Sequence, residues 1–159
     1  MVAVVQPRLE IRPMRRPDLA AVLAIEQDAY PFPWSAGIFR DCLRIGYRCL
    51  VLIDQGELCA YAIFSMAMDE AHLLNLCVAA RRRRSGLATL LLDQVLAEAT
   101  LAGVDRLYLE VRPSNRAAIR LYSEREFRQV GRRPGYYPSA SGREDALVMV
   151  RHLEGVHRD

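Results

Sequence analysis

Two side chains in the middle of the sequence are of the kinds that move protons. Glu110 lies in the strand-like run Arg106 to Val111, where Leu107, Leu109 and Val111 alternate with Tyr108 and Glu110, so a carboxylate sits in a segment otherwise fit for burial. Tyr122 falls in the helical pattern from Ala117 to about Glu124. A positioned carboxylate can take a proton and a phenol can give one. Asn115 is a plausible N-cap for that helix and lies almost two turns before Tyr122, so the two project to the same side.

A third feature precedes them. Leu73, Leu74, Leu76 and Val78 suit a buried strand, and Leu87, Leu91, Val95 and Ala99 mark one face of a helix ending at Gly103. Between them stand Arg81 to Arg84, Ser85 and Gly86. A helix N-terminus leaves up to four N–H groups without intrahelical partners and carries about half a positive charge, so it attracts phosphate. Gly86 lets a ligand approach the backbone closely. The loop is neither a P-loop nor a dinucleotide-binding glycine fingerprint.

The elements that must hold these residues read as follows. Leu9 and Ile11 start an edge strand, and Pro17 opens a helix to about Asp28, with Leu19, Val22 and Leu23 on its apolar face. Glu26 takes the next position at that spacing and either faces the cleft or, the favoured reading, lies at the solvated edge of that helix. Tyr30-Pro31-Phe32-Pro33-Trp34-Ser35 is a stiff aromatic loop suited to a pocket wall, and Ser35 caps a short helix closed by Gly46. Tyr47 to Ile53 and Leu58 to Met68 flank Asp54-Gln55-Gly56-Glu57 as an antiparallel hairpin. Phe127 to Gly131 and Ala146 to Val150 form a terminal hairpin, joined by Tyr136-Tyr137-Pro138 and a polar loop. The order β-α-α-β-β-β-α-β-α-β-β gives an α/β architecture, a mixed sheet with helices on its faces.

With 159 residues and 52% hydrophobic content the chain fits one domain with a sizeable core. All 22 basic residues are arginine, which looks like a coding bias and carries little functional information. No aromatics interleave with the basic run, so no direct nucleic-acid binding is expected. Cys42, Cys49, Cys59 and Cys77 lack C-x-x-C spacing and read as buried thiols of a reducing compartment. His72, His152 and His157 are not spaced to complete a zinc site, so no metal is expected. No signal segment or membrane span is seen, and a cytoplasmic protein is expected.

Arg83-x-x-Gly86-x-Ala88 resembles the pyrophosphate-loop signature of the GNAT acetyltransferases. Four segments are similar to the RimI-type branch of that family, the ribosomal-protein-alanine N-acetyltransferases: PFPWS at 31 to 35, NLCV at 75 to 78 with RRSGLA at 83 to 88, LEVRPSNRAAIRLY at 109 to 122, and YYP with GREDALVM at 136 to 149. The resemblance implies a single GNAT domain over residues 1–159, mostly antiparallel in its sheet, that moves acetyl from acetyl-coenzyme A to the N-terminal amine, expected to be alanine, of a small-subunit ribosomal protein. It further implies Glu110 as general base and Tyr122 as general acid. Leu76, Cys77 and Val78 would pair with the pantetheine arm. Arg84, Ser85, Gly86, Leu87, Ala88 and Thr89 would hold the pyrophosphate, with Asn115 also on the cofactor. Trp34, Tyr136 and Tyr137 are expected to wall a peptide groove. The expected partner is the N-terminus of a ribosomal protein or another peptide, and the expected state a monomer. Ala79-Ala80 in place of a commoner Asp-Pro, and Ala88 in place of a glycine, depart from the family pattern. Two other readings share the same loop: acetylation of a small amine or lysine side chain, and a non-catalytic acetyl-coenzyme A-binding domain.

Overall fold

The described residues, 8–153 of a computed structural model, form seven strands and four α-helices. The strands are β1 (Leu9–Pro13), β2 (Arg48–Asp54), β3 (Glu57–Ala67), β4 (Glu70–Val78), β5 (Arg106–Val111), β6 (Arg128–Ser139) and β7 (Gly142–His152). The helices are α1 (Leu19–Ala29), α2 (Ala36–Ile45), α3 (Leu87–Leu101) and α4 (Arg116–Glu124). The strands make one sheet in the order β1-β2-β3-β4-β5-β7-β6. Every pair is antiparallel except β4 and β5, which α3 joins by a crossover.

Local chemistry explains most of the boundaries. Gln55 and Gly56 both take positive φ, 50° and 82°, the geometry whose twist matches the β2–β3 hairpin. The Ile38 N–H donates to Ser35 Oγ at 3.3 Å, and Gly46 ends α2 at φ 88°. The Ala118 N–H donates to Asn115 Oδ1 at 3.2 Å, which fixes the start of α4. Pro17 lies in a single 3-10 turn that leads into α1, and Asp18 in that turn receives both Arg12 terminal nitrogens, at 2.8 and 2.9 Å.

Alternation divides the apolar residues between two cores. Leu50, Leu52, Ala62, Phe64, Leu107 and Leu109 pack under α3 and α4, with Leu91, Leu92, Val95 and Phe127. Val51, Tyr61, Ile63 and Cys77 face the other way, against Val22 and Ile25 of α1 and Phe39 of α2. All four cysteines are buried free thiols, and burial pushes the Cys49 thiol up to about 12.

Two expectations need correction. The terminal hairpin is far longer than the sequence pattern indicates: Tyr136, Tyr137, Pro138 and Arg143 to Asp145 belong to β6 and β7 rather than to a connecting loop. A register shift between Arg133 and Tyr137 absorbs Pro134 and Gly135, which otherwise read as strand breakers. Glu26 is not at a solvated edge; it is 2% exposed.

Leu109 is 1% exposed and forms the last register pair between β4 and β5, with Leu73. Leu109→Ala should cost about 2–5 kcal/mol of stability, read from denaturant unfolding.

Candidate active site

The parallel pairing of β4 with β5 covers only Glu70 to Leu73 against Arg106 to Leu109. Against β3, Leu73 pairs with Phe64 and Asn75 with Ile63, so Leu74 is an extra residue, a β-bulge. A bulge bends its strand and unpairs it locally. Beyond it, β4 follows β3, and β5 continues with β7, where Glu110 meets Val148 and Val111 meets Leu147. The two strands part, and a cleft of about 470 Å³ opens between them.

That cleft brings together residues expected from the sequence to act together. Leu76, Glu110, Asn115, Tyr122, Trp34, Tyr136 and Tyr137 all line it. The carboxylate of Glu110 is 8% exposed and meets His72 Nε2 through one oxygen and Arg133 Nε, at 3.3 Å, through the other. Its arginine partner is thus Arg133, from β6. Arg112 instead binds Glu144 at 3.2 Å and stacks over the Tyr137 ring at 4.3 Å. Glu144 also accepts from the Ser114 N–H and hydroxyl, which ties the hairpin to the loop that bears Asn115. These bonds hold the Glu144 carboxyl below its ordinary range. Tyr122 is buried beside Phe127, and burial raises its phenol well above the usual value, so it stays protonated.

At one end of the parted strands lies the arginine and glycine loop. Gly86 takes φ 80° with nothing within 4 Å of where a Cβ would stand, and α3 begins with no side-chain cap. Leu90 N–H is the first to bond back into the helix, to Gly86 O at 3.1 Å. The amides of Leu87, Ala88 and Thr89 therefore lack intrahelical partners and suit an anion. Arg84 has φ 63° and Ser85 donates to Arg82 O, so the loop is tightly wound. The methyl of Ala88 packs on the core under α3. Ala79 and Ala80 still make the turn, with Arg82 N–H on Ala79 O at 2.8 Å. The arginine run is not uniformly solvated. Arg81 pairs with Glu57, and Arg82 pins the loop to Asp54, which is 3% exposed.

Glu26 is the site residue that sequence pattern misplaces. Its two oxygens accept from Tyr61 OH at 2.6 Å, Asn75 Nδ2 at 2.8 Å and Trp34 N–H at 2.9 Å. The bulge at Leu74 is what turns Asn75 toward α1, since strict alternation would send it to the same face as Leu73. Tyr30 stands above, its hydroxyl 3.5 Å from Leu76 O. The aromatic loop is therefore fastened to the cleft floor through one carboxylate. Among the described residues, no group of three His, Cys, Asp or Glu side chains gathers as a metal site; His157 lies outside them. No helix of the described residues is long and apolar enough to cross a membrane.

The sequence pattern described as the Acetyltransferase (GNAT) family matches residues 19–127. The chain is 41% identical over 133 residues to the ribosomal protein bS18-alanine N-acetyltransferase of Escherichia coli K12, covering 84% of this chain and 90% of that one. It is 36% identical over 137 residues to the protein of the same name from Haemophilus influenzae, covering 86% and 93%. The crystal structure of the ribosomal-protein-S18-alanine N-acetyltransferase from Escherichia coli superposes with a TM-score of 0.89 at 37% identity, over 95% of this chain and 97% of that one. The chain belongs to the GNAT acetyltransferase family, and it is an N-acetyltransferase.

Gly86→Ala would force an L residue to φ 80° and put a methyl where the loop is open. It should raise the KM for the nucleotide-bearing substrate about tenfold or more while kcat falls less, as steady-state kinetics would show. Glu26→Gln would turn an amide donor toward one of three donors. It should lose about 1–3 kcal/mol in denaturant unfolding and raise the peptide KM.

Proposed function

We propose that this chain, as a single catalytic domain, transfers acetyl from acetyl-coenzyme A to the N-terminal amine of a ribosomal protein of the bS18 kind, alanine being the first residue. The observation that carries this reading is the gap between β4 and β5, with Glu110 and Tyr122 lining its cleft, and the uncapped N-terminus of α3 following the end of β4 in the chain.

The residues present fit acetyl-coenzyme A. Arg84, Ser85, Gly86, Leu87, Ala88 and Thr89 would hold the pyrophosphate on backbone N–H groups, with Gly86 open to close approach. Leu76, Cys77 and Val78 pair with β3 on one side and with no strand on the other, which suits hydrogen bonding to the amides of the pantetheine arm. Asn115 uses its oxygen as a helix cap and keeps its amide N–H groups for the cofactor.

An N-terminal amine has a pKa of about 8, so roughly nine-tenths of it is protonated at pH 7 and cannot attack. Glu110 removes that proton, directly or through one water. The amine then attacks the thioester carbon, and N–H groups near Val78 would stabilise the resulting oxyanion. Collapse expels the coenzyme A thiolate, which Tyr122 protonates; the nitrogen, cationic since the attack, gives its second proton back to the Tyr122 phenolate, and the one proton left over is the one on Glu110. Burial raises that phenol, so it carries its proton when the thiolate forms. Transfer is direct: Cys77 is 6% exposed and burial raises its thiol, so it is not a ready thiolate nucleophile. Trp34, Tyr136 and Tyr137 bound the opening through which the peptide would enter.

Glu110→Gln and Tyr122→Phe should each lower turnover by at least about tenfold while acetyl-coenzyme A still binds. A peptide beginning with alanine should gain one acetyl group by mass spectrometry, and its N-terminally blocked copy none. Acetylation of the blocked copy at an internal lysine would overturn the substrate assignment.

A further inference from the structure

Glu110 stands in a wall between two cavities. Besides the main cleft, a second cavity of about 380 Å³ opens beside β4, β5 and β7. His72 and Glu110 are the two residues common to both linings. The strand register explains this. His72 of β4 pairs with Tyr108 of β5, and Glu110 lies two residues further along on the same face, which puts the imidazole diagonally opposite the carboxylate. Arg133 occupies the other carboxylate oxygen, and His72 is the neighbour whose ring offers two nitrogens, one to take a proton and the other to release one. Its side chain is 36% exposed, against 8% for Glu110.

Proton accounting gives this arrangement a use. An ammonium and a thioester become an amide, a thiol and one proton. While that proton stays on Glu110 it can return to the amine, and the two substrates fill the main cleft and close its route to water. We infer that His72 is the outlet: Glu110 passes the proton to Nε2 of the neutral imidazole, and the ring gives one up from its other nitrogen to water in the second cavity. Exchange with that water restores the starting tautomer. No bond other than N–H and O–H forms or breaks, and no further reactant is needed. The charged and titratable groups around the outlet are Glu70 on β4, Tyr108 on β5 and Arg133 on β6, and Glu70 is already paired with Arg106 at 3.2 Å. His72 acts through Glu110 and is a positioning residue for protons; the inference rests on Glu110 as the base.

The test is buffer-dependent rescue. With both substrates saturating, His72→Ala should lower kcat about tenfold, less than the roughly 10²–10⁴ expected for losing the base itself, with both KM values unchanged. Added imidazole, at constant pH and ionic strength, should restore kcat with saturation. His72→Gln, which fills the space but cannot relay a proton, should stay slow at every imidazole concentration. Wild-type kcat in His72→Ala, or a loss indifferent to imidazole, overturns the outlet. Glu110→Gln separates the two readings: it should be slow with or without imidazole, and wild-type turnover in that variant would remove the base, whatever His72 does.

Discussion

The structure depends on a strand pair that is made and then abandoned. β4 and β5 share a short parallel ladder, and the extra residue Leu74 ends it. A continuous ladder would hydrogen-bond Asn75 to Val78 and leave no backbone for a ligand to join. Parting the strands exposes polar groups that must find partners. On β4 the remaining free edge suits a ligand, while β5 stays paired with β7 along its other edge, which carries Glu110 to the edge of the gap. The same bulge turns Asn75 toward Glu26, so one irregularity shapes both the opening and its floor.

Two buried carboxylates and a third whose side chain is 8% exposed hold this arrangement, each in a different way. Asp54 receives Arg82 and so fixes the entrance to the α3 loop; its Oδ1 has no hydrogen bond among the described residues, only the Arg8 guanidinium at 3.6 Å. Glu26 is satisfied by neutral donors and fastens the aromatic loop. Glu110 faces an arginine and an imidazole and borders both cavities. A buried carboxylate without such partners would be costly, so each site also dictates its neighbours.

What could be read from the sequence was local. The caps Ser35 and Asn115, the Gln55-Gly56 turn and the α3 loop depend on residues within a few positions, and each appears as the pattern indicates. The alternation in β5 likewise puts Glu110 opposite Leu109. For Glu26 the cleft was the less favoured of two readings, because its donors come from positions as distant as Tyr61 and Asn75, and a lone acidic residue on a helix ordinarily faces water. Nor was the bulge: Leu74 looks like any apolar strand residue. The length of the β6–β7 hairpin was hidden by Pro134, Gly135 and Pro138, which an edge strand with a register shift tolerates. His72 carried a signal, a histidine on the strand that leads into the loop, but its link to Glu110 exists only through the parallel register.

The account turns on where the acyl-transfer centre sits. A crystal structure with a bisubstrate analogue, coenzyme A joined through an acetyl bridge to the N-terminus of an alanine-first peptide, tests it most directly. The account predicts the bridge in the gap between β4 and β5, the peptide nitrogen within about 2.6–3.2 Å of the Glu110 carboxylate or one water away, and the sulfur beside the Tyr122 hydroxyl. A bridge lying outside that gap, or a sulfur remote from Tyr122, would contradict it.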